Sequence, residues 1–181
     1  MNPFTHRDGA LYAEDVPLRR IAEAVGTPCY VYSAAAITER YRRYEKSLSG
    51  FNARVFYSVK ANSNQAVIAL LGKLGAGADV VSVGEMHRAL KAGIAAKDIV
   101  FAGVGKTREE MAAALDAGIH QFNVESQGEL HALNEVALAK GKRAPVALRI
   151  NPDVAALPHA PLSHGPAANK FGIDLVHAPQ V

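Results

Sequence analysis

The rhythm of hydrophobic and polar positions changes at Arg54. Before it the pattern is uneven, and the residues up to about Asp15 read as an irregular arm. Pro17 suits the first turn of a helix with Leu18, Ile21 and Ala22 on one face, closed by Gly26. Thr27-Pro28 then opens a short strand over residues 29–32. Ser33 is an N-cap for a helix through Ile37, Tyr41 and Tyr44, which ends near Ser49-Gly50. From Arg54 a cadence sets in: apolar strand, polar strand end, helix, glycine. Strands are predicted over residues 54–59, 78–82, 99–102, 120–124 and 146–150. Between them fall helices stopped by Gly93, Gly118 and Gly141. Thr107 with Glu110, and Ser126 with Glu129, have the spacing of capping boxes.

Strands alternating with helices at this spacing predict an α/β fold with parallel βα units. In a parallel βα barrel, chemistry gathers at the C-terminal ends of the strands. Those ends carry Lys60, residues 79–82, residues 103–106, residues 123–125 and residues 149–151. A doubly wound sheet would instead place its ligand at one crossover of strand order. Candidates spread over all five ends favour a barrel. A whole barrel has eight strands and typically about 250 residues. After Pro152 the composition shifts to Ala, Pro and His, and no convincing helix or strand follows. The expectation is therefore an N-terminal portion of a longer protein. Residues 1–50 would form an arm and helix, and residues 51–181 the first five strands of an incomplete barrel.

Composition changes this picture little. With 49% hydrophobic and 20% charged residues, the chain falls in the globular range and can bury a substantial core. A net charge of +3 with no basic, aromatic-interleaved run argues against nucleic acid. Cys29 is the single cysteine, so an intrachain disulfide is excluded. No signal-like or membrane-spanning run stands out, so a cytoplasmic protein is expected.

Lys60 is the residue with chemical promise. An ammonium where a buried strand stops is costly, and burial without a counter-charge lowers its pKa toward a nucleophilic amine. The alternative is a lysine snorkelling from a strand end into water. Ser58 shares the strand face of Lys60 by alternation and would line the same pocket. Glu85 falls at a helix start, where the helix dipole stabilises a carboxylate in any case. Three lookalikes fail. Gly103-Val104-Gly105-Lys106-Thr107 lacks the first glycine of a P-loop, since Val100 stands there. Gly75-Ala76-Gly77 meets Val80 where a dinucleotide fingerprint needs its third glycine. His159 and His164 have no Cys or acid at ligand spacing, so no metal is expected.

Phe56-Tyr57-Ser58-Val59-Lys60-Ala61-Asn62-Ser63-Asn64 resembles the lysine motif of the pyridoxal-phosphate decarboxylases built on the alanine-racemase-like barrel. Further matches follow in the family's order. They are Ala78-Asp79-Val80-Val81-Ser82 with Gly84-Glu85, Val100 to Thr107, Phe122-Asn123-Val124-Glu125-Ser126, Leu148-Arg149-Ile150-Asn151-Pro152-Asp153, and Asn169-Lys170-Phe171-Gly172. The resemblance implies pyridoxal 5′-phosphate as cofactor and Lys60 as the catalytic Schiff-base lysine. It implies Ser58, Asp79 and Arg149 as cofactor neighbours, with a structural Asp79–Arg149 ion pair as the alternative for the last two. It also implies a small amino-acid substrate, a homodimer in the full-length enzyme, and a β-rich domain beyond the barrel. The wording of residues 103–107 and 151–153 is closest to the branch acting on meso-diaminopimelate. Enzymes for ornithine, arginine or carboxynorspermidine remain alternatives, because the loop over residues 157–166 departs from that branch. A non-catalytic carrier of the same cofactor is a further alternative.

Overall fold

A computed structural model describes residues 2–151 and 171–174. The first residues are more regular than expected. Strands β1 (Phe4–Arg7), β2 (Ala10–Ala13) and β3 (Val16–Pro17) form an antiparallel meander. Arg7 pairs with Ala10, which leaves Asp8 and Gly9 as a two-residue turn, both at positive φ. Asp-Gly is a favoured sequence for that turn because both central residues need the left-handed region. That signal corrects the irregular arm.

Helix α1 (Leu18–Val25) ends at Gly26, with φ 81°, as its pattern predicts. The strand expected over residues 29–32 does not form. Tyr30 and Tyr32 stack on each other in the open, and no described strand lies alongside to pair with them. Ser33 does cap α2 (Ala34–Ser47), accepting from Ala36 N at 3.0 Å. Glu14, in the second turn of the meander, accepts from Ser33 Oγ at 2.7 Å and Ala35 N at 2.9 Å. Those bonds, the backbone one first, hold its carboxyl below the usual value.

The remainder is a run of βα units. Strand β4 (Phe56–Ser58) passes through a 3-10 turn (Val59–Ala61) into α3 (Gln65–Leu74). Then come β5 (Gly77–Val80), α4 (Val83–Lys91), β6 (Ile99–Phe101), α5 (Arg108–Ala117), β7 (Gln121–Val124), α6 (Gln127–Ala139) and β8 (Val146–Leu148). The five strands pair in parallel in the order β4-β5-β6-β7-β8. Spatial order equals chain order, so no switch point exists in this sheet. Each helix from α2 to α6 packs on the next, which requires them to share one face. This is barrel logic.

Period-two alternation divides the side chains. Ala78, Val80, Ile99, Phe101, Phe122 and Val124 point under the helices and are buried against Ile68, Met86, Met111 and Leu133. Each large side chain so placed contributes about 1.5–3 kcal/mol. Ser58, Asp79, Val100 and Asn123 occupy the opposite face. Gly77 lies on that face too, where a Cβ would stand 2.5 Å from the Phe56 ring and 2.6 Å from Asp98 O. Its hydrogen lets Phe56 fill the floor.

The fifth strand is not continuous over residues 146–150. It breaks at Arg149, and β9 (Ile150–Asn151) pairs in parallel with β10 (Ile173–Asp174). Arg149 N donates to Val124 O, and its own carbonyl accepts from Ile173 N, both at 2.8 Å. A strand thus exists after Pro152, contrary to expectation. Gly172 permits the approach: its φ is +81°, and a Cβ would sit 3.0 Å from Arg149 O. Residues 152–170, with His159, His164, the loop over 157–166, and Asn169-Lys170, lie outside the described residues.

Candidate active site

Lys60 is on the turn that leaves β4. The strand ends at Ser58, one residue of the turn (Val59) is wholly buried, and Lys60 follows, exposed. Of the two readings of its ammonium, buried or snorkelling into water, the exposed one is observed. Tyr57 Oη donates to Asn62 O at 3.0 Å and closes the loop, while Asn64 caps α3 by accepting from Ala66 N. The backbone under Lys60 is therefore pinned at both sides. Its own Nζ makes no hydrogen bond or salt bridge among the described residues.

Lys60 lines a cavity of about 450 Å³ with Asp79, Ala102, Asn123, Glu125, Ala147, Leu148 and Arg149. Three of the four expected site residues thus meet in one place. Ser58 is not among the lining. The 3-10 turn breaks the alternation that was to put it beside Lys60, and it instead borders a groove of about 550 Å³ under α2, with Ile37, Tyr41 and Leu71. It still stands beside Asp79 across the β4–β5 register. Ser58 Oγ and Asp79 Oδ1 are both buried without a hydrogen-bond partner among the described residues. Burial pushes the Asp79 carboxyl above its ordinary value, although the neighbouring Ser58 hydroxyl first, then Lys60 and Arg149, pull the other way.

Arg149 does not pair with Asp79. Its Nη1 lies 3.0 Å from Glu125 Oε1 and 3.1 Å from Oε2, and its guanidinium rests 4.8 Å from the centre of the Phe171 ring. Glu125 Oε1 also accepts from Gly103 N at 3.0 Å. Beside it, Lys106 donates to Gly103 O, Asn123 O and Glu129 Oε1 at 2.7–2.8 Å, so all three of its N–H groups are used. This lysine braces its loop and has none left for a phosphate.

Glu125 and Lys106 carry no assigned role in the sequence, and Glu129 only that of a capping residue, though a further signal is present. Ser82-Val83-Gly84-Glu85 recurs as Ser126-Gln127-Gly128-Glu129. In both, the serine caps the helix and the glutamate takes the N–H of the residue before the serine: Val81 at 2.9 Å, Glu125 at 3.1 Å. Glu85 is thus engaged as a cap. The second predicted capping box is only half made, because Glu129 reaches Glu125 N instead of Ser126 N. Thr107 and Glu110 complete theirs, and Glu110 also accepts from Val83 N at 3.0 Å.

Residues 34–181 match the model of the pyridoxal-dependent decarboxylase family, pyridoxal binding domain. The chain belongs to this family.

Relatives of this chain include two named diaminopimelate decarboxylase. The Zymomonas mobilis protein is 54% identical over 176 residues, covering 96% of this chain and 42% of its own length. The Pseudomonas aeruginosa protein is 51% identical over 181 residues, covering 100% of this chain and 44% of its own. The chain thus spans less than half the length of these relatives. The crystal structure of diaminopimelate decarboxylase from M. jannaschii in complex with L-lysine matches with a TM-score of 0.87 at 40% identity, over 97% of this chain and 42% of that one. The fold is the expected one: α/β, part of a (β/α)8 barrel of the alanine-racemase-like type.

The residues fit pyridoxal phosphate. Its aldehyde calls for a primary amine without an internal partner, which Lys60 offers. Its polar ring substituents call for groups such as the unpartnered Asp79 oxygen and the guanidinium of Arg149, half open to solvent.

Proposed function

We propose that this chain is the lysine-bearing portion of an enzyme that decarboxylates meso-diaminopimelate at its D-configured centre to give L-lysine. The observation that carries this reading is the pinned, unpartnered Lys60 amine in one cavity with Asp79 and Arg149. The choice of substrate is supported by relatives of that name at about half identity along the whole chain. Lys60 and Asp79 would hold the cofactor, with Arg149 beside them. Pyridoxal phosphate, when bound, supplies the electron sink for the pair left behind by departing carbon dioxide. Lys60 Nζ contributes the attachment point, on a turn rigid enough to return to the same place.

Residues 1–50 then form the segment leading into the barrel and residues 51–181 its first strands. The later strands, a β-rich domain and a dimer partner complete the enzyme, which works in the cytoplasm on a small amino acid, without nucleic acid or membrane. Among the described residues no helix is long and apolar enough to cross a membrane. Borohydride reduction of the full-length protein with pyridoxal phosphate should attach the cofactor to the Lys60 peptide, and Lys60→Ala should abolish turnover. Attachment elsewhere would end the assignment. Carbon dioxide release from ornithine or arginine at comparable efficiency would move the substrate to another branch.

A further inference from the structure

We propose that Glu125 is a positioning residue that sets the Arg149 guanidinium in the cavity, acting on the cofactor only through it. This rests on the cavity being the pyridoxal-phosphate site. The Arg149 backbone is fixed by Val124 O on one side and Ile173 N on the other. Its side chain, 48% exposed, is otherwise free to swing into water. Glu125 is its opposite: the side chain is 1% exposed and sits where β7 ends. Both its oxygens hold Nη1, and Oε1 is tied in turn to Gly103 N.

Lys106 is fully occupied by Gly103, Asn123 and Glu129, so Arg149 is the cation that balances Glu125 among the described residues. A buried carboxylate needs that cation, and the cation cannot leave without exposing the need. Phe171 covers the guanidinium at 4.8 Å. The loop after β6, the end of β7 and the β8–β9 junction are thereby joined through one carboxylate. The arginine is fixed before any ligand arrives, which lowers the ordering cost of binding.

Glu125→Gln separates this role from simple bracing. The glutamine oxygen still accepts the Gly103 N–H, but the charge is gone and its amide N–H would face Nη1. Cofactor-free full-length protein is titrated with pyridoxal phosphate by absorbance, and its thermal midpoint is measured. E125Q and R149Q should each raise Kd about 10–100-fold, the range for losing a hydrogen bond between charged groups. The double variant should bind no more weakly than R149Q. E125Q should melt near wild type, because Arg149 can reach water, and R149Q should melt lower, because it strands a buried carboxylate. E125D keeps the charge, falls short of Nη1 and should also weaken binding; it serves if E125Q does not fold. Affinity of E125Q within about twofold of wild type, or losses that add in the double variant, would overturn the proposal. Wild type that takes up no cofactor, or Lys60→Ala that takes it up as tightly, would instead overturn the cofactor site itself.

Discussion

Lys106 Nζ lies 2.7 Å from Glu129 Oε1, with side chains only 1% and 8% exposed. The pair joins the loop after β6 to the first turn of α6 and has almost no water to fall back on. Lys106→Ala leaves Glu129 buried without its cation. Breaking such a pair from one side costs roughly 3–5 kcal/mol. Urea unfolding should show a loss of that size. Lys106→Ala combined with Glu129→Gln should recover part of it, and a single variant as stable as wild type would contradict the burial.

Asp79 sets a pH dependence. Burial raises its carboxyl above the ordinary aspartate value of 3.8. The folded state therefore binds a proton more readily than the unfolded state between the ordinary and the raised value. Stability falls as pH rises through that window, and the cost is fully present above it. Asp79→Asn should raise the thermal midpoint of the cofactor-free protein at neutral pH, and the gain should vanish below about pH 3.8. Turnover should fall in the same variant, the usual exchange between stability and function at a site. A midpoint unchanged by the substitution at neutral pH would show that burial does not dominate there.

Gly172→Ala should weaken both the fold and the site. The left-handed conformation alone costs about 1–2 kcal/mol for a residue with a Cβ, and the Cβ would press on Arg149 O at 3.0 Å. Denaturant unfolding should register the strain, and cofactor titration should show weaker binding as the Arg149 junction shifts. A variant that binds normally would separate this junction from the cavity.

A polypeptide of residues 1–181 made by itself should associate. Strand β4 is one edge of the sheet, and β8 is the other, with Val146 45% and Leu148 37% exposed. Unpaired edges recruit other chains. Light scattering should report oligomers or aggregates; a monodisperse monomer with cooperative unfolding would show that closure is not needed.

Local rules found most of the elements. Ser33, Thr107 and Gly118 announce helix ends because a cap depends on a few neighbouring residues. The Asp8-Gly9 turn was equally local and was overlooked, since strands of four residues give alternation little room. The site was legible by residue and not by pairing. Lys60, Asp79 and Arg149 were in view as strand ends and by resemblance, yet the partner of Arg149 is 24 residues away on the neighbouring strand. No periodicity links those positions. Ser58 was legible in part: it faces Asp79 across the register as alternation implies, while Lys60 stands beyond the strand on a 3-10 turn.

Pairing strictly in chain order also bears on how the molecule is made. Each new strand from β5 to β8 finds its template already complete in the residues just synthesised, so the sheet can grow from one margin while the polypeptide is still emerging. Contacts of short sequence separation favour fast docking. The outer edge of β4 is different: β5 takes the inner edge, and β6 to β8 add only at the far side of the sheet. Until another strand reaches it, that edge lies beside the groove of Ile37, Tyr41 and Leu71 with its backbone groups open to any strand that can pair with them.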